Sequence, residues 1–330
     1  MRAHKSFILI FACLCTLILT KSGETNSLNV SKKQQSVSKR MSSGWVKFFV
    51  VRGHIFFPVY INKNEKKVFA MLDTGSQKTV IPINMQKRFG ISSYGNPRFV
   101  GYAGVMNAKF SNPIILKIGK LNYRIKQPLL APIDKYMNEI FNLNSPIIIV
   151  GSNILKKNIV TIKFNKKLIN FSQKQVVKLN HKFVHFVKKK IYKYKGNIVI
   201  NISINKYRNR YKFLIDTGDN GFCQLYPSFW KKKLKSLYQS TRQDSQKYEN
   251  TNKTAIGQSF SDITKHEKVL LIRKITISKI ALGGVPCVIS AARFNGEGVA
   301  GSLGMGVLNK FNIIIDGPAH EMYIYLPART

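Results

Sequence analysis

The chain reads as one β-rich unit written twice. In the first half, apolar runs at Ile55 to Ile61 and Lys67 to Leu72 flank a polar connection, Asn62 to Lys66, and end on Asp73-Thr74-Gly75-Ser76. In the second, Asn197 to Ile204 and Tyr211 to Ile215 flank Asn205 to Arg210 and end on Asp216-Thr217-Gly218-Asp219. Short apolar runs joined by polar turn residues predict a β-hairpin in each half. Each turn leads to an apolar stretch closed by proline, Val80-Ile81-Pro82 or Leu225-Tyr226-Pro227. An apolar residue and a glycine then recur at Val150-Gly151 and Leu303-Gly304, at spacings from the aspartate of 151 − 73 = 78 and 304 − 216 = 88. A β-rich ending follows each, Ile159 to Phe171 and Asn312 to Leu326. No long amphipathic helix interrupts these strands, so the expected class is all-β.

The chain is long enough for two domains at 330 residues, and its 44% hydrophobic content suffices for real cores. A basic start (Arg2, Lys5), an apolar run from Phe7 to Leu19 and small polar residues at Ser22 and Gly23 form the three-part pattern of a secretory signal over 1–23. Export follows as the expectation, to a secreted or a periplasmic and envelope-associated location. Residues 24–44 read as a disordered linker or pro-segment, 45–175 as the first lobe, 176–191 as a basic connector and 192–330 as the second lobe. Trp230 to Thr254, polar and lysine-rich, reads as a surface insertion. With the signal removed only Cys223 and Cys287 remain. An exported compartment permits a disulfide between them, and two buried thiols fit the sequence equally well.

Two Asp-Thr-Gly turns carry the chemistry. Each offers one carboxylate on a tight loop, and two such loops facing each other would hold two carboxylates around one water. One copy of the tripeptide is a weak signal, because the same residues make ordinary turns. Two copies at matching points of a duplicated strand pattern are far more specific. Over roughly residues 45 to 328 the arrangement resembles the retropepsin-like aspartic proteases, fused as two copies in one chain.

The resemblance implies two closed β-barrel lobes related by a pseudo-twofold axis, with the active-site cleft between them. It implies catalysis by Asp73 and Asp216 sharing one proton over a lytic water, the ionised member acting as base and the protonated one as acid. Thr74 and Thr217 would lock the loops together through hydroxyl-to-backbone bonds. Gly75 and Gly218 would let backbone approach the carboxylates, and Ser76 would donate to the outer oxygen of Asp73. Gly151 and Gly304 would brace the loops from beneath. Flap hairpins would cover the cleft, one at Phe99 to Ala108 with Gly101, Tyr102 and Gly104, its rough counterpart at Ala255 to Phe260 with Gly257; both read equally as plain surface hairpins. The substrate would be an extended peptide, and covalent duplication makes a monomer sufficient.

Asp219 departs from that family's pattern, where Ser, Thr or Ala is usual. Either it turns away to a lysine, or it is protonated and donates as a hydroxyl would, or the second loop is impaired. The alternative function is therefore a protease-like protein that binds peptides or anionic surfaces without turnover. Charge bears on this: 54 basic against 14 acidic residues give 54 − 14 = +40. Such a chain attracts polyanions at low salt, yet it shows no arginine cluster, aromatic-interleaved basic motif or zinc-finger spacing that would specify nucleic acid. Gly296-Glu297-Gly298-Val299-Ala300-Gly301 lacks the βαβ context of a dinucleotide site, and the six histidines show no metal-ligand spacing. No metal and no cofactor are expected.

Overall fold

The computed structural model describes residues 44–64, 66–101, 104–143, 145–173, 187–194, 196–205, 209–234, 255–257, 265–289 and 298–326. The expected signal at 1–23, most of the segment at 24–44 and most of the insertion at 230–254 lie outside them. The described chain is mostly β, with a closed six-strand barrel and a half-barrel.

The barrel belongs to the second half. The hairpin Asn197–Ile204 and Arg210–Ile215 continues through Gly301–Leu303, Cys223–Leu225, Ile280–Ile289 and Lys265–Ile277. The last of these returns to the first strand, with Ser203 opposite Thr276 and Ile204 opposite Ile275. Cys223 and Cys287 are opposite one another on adjacent parallel strands, with Cα atoms 4.4 Å apart, and form a disulfide.

The first half follows the same path. His54–Ile61 and Val68–Asp73 form the hairpin, and Ile147–Gly151, Val80–Pro82, Leu129–Ala131 and Lys109–Ser111 follow. Here the long strand of the second half is replaced by two, Lys109–Ser111 and Ile114–Ile118, separated by Asn112 and Pro113, and only the latter pairs with the hairpin. The neighbouring ribbon is likewise split into Leu121–Ile125 and Leu129–Ala131, with Pro128 in the gap. Proline lacks the N–H that a ladder needs, so the sheet opens there.

A third sheet joins the halves. Its order is Trp45–Lys47, Leu168–Ser172, Ile159–Lys163, Asn312–Asp316, Glu321–Tyr325 and Val187–Lys190. The junction is Ile159–Lys163 against Asn312–Asp316, with Val160 opposite Ile315 and Ile162 opposite Ile313. The last strand of the sheet, Val187–Lys190, falls within the stretch assigned to the connector. One buried cluster spans both halves, with Phe57, Phe171, Phe213 and Phe311 among its largest members.

Strand alternation sorts side chains into layers. Along Val68–Asp73, Ala70 and Leu72 enter the shared core. Phe69 and Met71 face the other way, beneath the helix Asp134–Phe141. That helix places Ile133, Met137 and Phe141 on one side, the four-residue spacing of an apolar stripe. In the second half Pro227 closes the apolar stretch and starts a helical turn, as suits a residue with fixed φ and no N–H to donate. Leu234 is fully buried, so the expected surface insertion begins with residues anchored in the core.

Candidate active site

Each aspartate ends the inner strand of a hairpin. Val68–Asp73 runs parallel to Ile147–Gly151, with Gly151 opposite Asp73. Arg210–Ile215 runs parallel to Gly301–Leu303, and the Asp216 amide donates to Leu303 O (3.0 Å). Glycine is required beside each loop. A Cβ on Gly151 would collide with the Ser76 and Lys78 carbonyls, and one on Gly304 with those of Asp219 and Gly221. The following amides hold the loops from beneath, Ser152 N–H to Ser76 O and Met305 N–H to Asp219 O, both at 2.7 Å.

The two loops are tied together through buried threonines. Thr74 Oγ1 donates to Ile215 O (2.5 Å) and accepts from the Thr217 amide (3.1 Å). Reciprocally, Thr217 Oγ1 donates to Leu72 O (2.9 Å) and accepts from the Thr74 amide (3.0 Å). Both residues are fully buried, so four backbone groups with no access to water are satisfied by two hydroxyls. Each loop is thereby fixed by the other.

This packing brings the carboxyls of Asp73 and Asp216 within hydrogen-bonding reach of one another. Each lies over the opposite loop: a Cβ on Gly75 would strike the Asp216 carboxyl, and one on Gly218 the Asp73 carboxyl. Asp73 Oδ1 accepts from the Ser76 amide and Asp216 Oδ1 from the Gly218 amide, both at 2.9 Å. Loss of water raises the pKa of both acids, but unequally. For Asp73 that rise is opposed by the amides of Ser76 and Gly75 and by the charge of His54. Asp216 is pushed well above the usual carboxylate range by desolvation first, then by the charges of Asp73 and Asp219.

Two expected details differ. The Ser76 hydroxyl does not reach the outer oxygen of Asp73; it donates to Lys78 O (2.8 Å), and the Ser76 backbone amide binds the carboxylate instead. Asp219 occupies the matching position and makes the complementary bond, its Oδ1 accepting from the Gly221 amide (2.8 Å). A hydroxyl that donates to the carbonyl two residues on has been exchanged for a carboxylate that accepts from the amide two residues on. The second loop thus keeps its closure and gains a negative charge.

Two residues escaped the sequence reading. His54 Nε2 lies 3.0 Å from Gly218 O, and Asn197 Nδ2 donates to Gly75 O (2.8 Å), so each half reaches into the other's loop. Both sit 19 residues before their aspartate (73 − 54 and 216 − 197), a repeat that was available as a signal. His54 follows a two-residue turn, with Val51 opposite it, and Asn197 lies opposite Tyr194. Arg52 (φ 48°) and Gly53 (φ 83°) both take the left-handed conformation that such a turn demands.

The hairpin with Gly101 and Gly104 is formed by Arg98–Gly101 and Gly104–Asn107, those two glycines facing each other; Tyr102 lies outside the described residues. Gly257 ends Ala255–Gly257, which pairs with the start of the 265–277 strand. Among the described residues no group of three His, Cys, Asp or Glu is arranged to hold a metal. A cavity of about 370 Å³ lies away from the carboxyls, lined by Asn84, Asp134, Asn138 and Ser145 among others. Compared with known families and curated proteins, the chain matches no family model and no curated sequence.

Proposed function

We propose that the protein is an aspartic endopeptidase whose two halves act as lobes about an approximate twofold axis, hydrolysing an extended peptide in the cleft between them. The observation that carries this reading is the pair of facing carboxyls, one from each half, locked by reciprocal threonine bonds. Asp73, better supplied with hydrogen-bond donors, is the base that takes a proton from the attacking water. Asp216, holding the shared proton, donates to the scissile carbonyl and then protonates the leaving amine. The hairpins at 98–107 and 255–267 would cover the substrate, whose backbone would bind as an added strand. The signal-like N-terminus supports export, and the charge of +40 supports a second attraction, to anionic surfaces at low salt.

Asp219 motivates the competing reading, a peptide-binding relative without turnover. Cleavage of a diverse peptide library by the purified protein decides between them. Turnover that disappears in Asp73→Asn and is blocked by a statine-type transition-state mimic supports the protease. Cleavage persisting in Asp73→Asn overturns the assignment, and peptide binding without cleavage in the unmodified protein favours the binder.

A further inference from the structure

His54 and Asn197 occupy equivalent places. Phe56 is opposite Met71 and Val199 opposite Leu214, so two residues further along each ladder His54 lies beside Asp73 and Asn197 beside Asp216. Both side chains cross to the other half and contact the glycine carbonyl of its Asp-Thr-Gly loop. The braces match in geometry but not in chemistry. An amide nitrogen is neutral at every pH, whereas an imidazole can carry charge.

His54 meets a carbonyl oxygen at each of its ring nitrogens. Nε2 faces Gly218 O and Nδ1 faces Arg52 O, each at 3.0 Å. Carbonyl oxygens only accept, so both contacts are hydrogen bonds only when both ring nitrogens bear protons. The arrangement is itself held, since Asn220 Nδ2 donates to the same Arg52 carbonyl (3.2 Å) and the edge of the ring meets Phe141 (5.1 Å between centroids). Charged groups on the described elements packed around it are Asp73 and Asp216 on the two carboxyl loops, Asp219 behind the second, and Arg52 on its own turn. Asp134 starts the helix that supplies Phe141 and is occupied with Asn84 (2.8 Å). Asp73 is the carboxyl whose charge His54 favours.

We propose that His54 is a positioning residue which, as an imidazolium, ties the first hairpin to the second Asp-Thr-Gly loop and holds the negative charge of the carboxyl pair on Asp73. Together with Asp219, whose charge acts on Asp216, it breaks the equivalence of two otherwise matched loops. The base and acid roles are then set by the surrounding chain before substrate arrives. This assignment rests on the protease reading for its kinetic consequence but not for its electrostatic one.

The test is His54→Asn, which copies the partner brace at 197 and removes the charge along with the Arg52 and Phe141 contacts. Carboxyl ¹³C titration should show Asp73 ionising at higher pH than in the unmodified protein, and the acidic limb of kcat/KM should move to higher pH with it. The reverse variant, Asn197→His, places a cation beside Asp216 and should lower the pH at which that residue ionises. Should His54→Asn not fold, this second variant decides alone. An Asp73 titration unmoved in His54→Asn, or an Asp216 titration unmoved in Asn197→His, overturns the proposal. Shifted titrations in a protein that cleaves nothing would leave it standing and sink the protease reading instead.

Discussion

The two halves agree where they meet and differ where they do not. At the centre the matches run atom by atom: threonine to opposing carbonyl, glycine beneath opposing carboxyl, brace to opposing glycine. Away from it the second half closes a ring of six strands and pins it with a disulfide. The first half breaks the same ring at Pro113 and Pro128 and lays a helix over its outer face. Among the described residues the outer cluster of the second half is smaller, built on Val199, Leu214, Tyr226 and Val299. Geometry at the interface is dictated by a partner only a bond length away, whereas a barrel can be stabilised in several interchangeable ways.

The sharpest way to break this comparison is at the carboxyls. Asp73→Asn and Asp216→Asn should each reduce kcat by at least about 10³-fold while leaving the fold intact, because base and acid are both indispensable. Equal losses in steady-state assays of the two variants support shared duty; a large loss in one alone would make the loops functionally unequal.

Next come the threonines. Thr74→Val or Thr217→Val leaves one buried carbonyl and one buried amide unsatisfied and should cost about 2–4 kcal/mol in denaturant unfolding, by similar amounts in the two halves. Removing the disulfide as the double variant Cys223→Ser, Cys287→Ser should also cost about 2–4 kcal/mol, but hydrogen exchange should then rise in the second half only. Unequal threonine effects, or exchange that rises in both halves, would contradict the contrast drawn above.

The smallest effect is on pH. Asp219→Ser removes a charge that raises the Asp216 pKa, so that acid should lose its proton sooner and the basic limb of the rate profile should move to lower pH. Linkage gives the same sign for stability. A carboxyl whose folded pKa is raised contributes most below its unfolded value, near 3.9, and that contribution is lost as pH rises through the folded one. Asp216→Asn should therefore flatten the fall in stability with rising pH, read from thermal melts.

Much of this was visible in the sequence because it is local. Hairpin strands at 55–61, 67–72, 197–204 and 211–215 were read to within a residue of those observed, since alternation and polar turns act over a few positions. The short helix at 134–141 was missed because one stripe of three apolar residues hardly rises above a strand-rich background. His54 and Asn197 were missed for another reason. Their partners lie 164 and 122 residues away, and only folding makes a histidine and an asparagine equivalent. The Ser76 error came from assuming that the hydroxyl, rather than the amide on the same residue, serves the carboxylate.

The sheet shared by both halves bears on how far they can move relative to one another. Strands 159–163 and 312–316 hydrogen-bond directly across the junction, so the sheet is one woven fabric and the halves cannot separate without breaking that ladder. The ribbon of Arg98–Gly101 and Gly104–Asn107, by contrast, has its described pairing with itself alone and is free of that ladder.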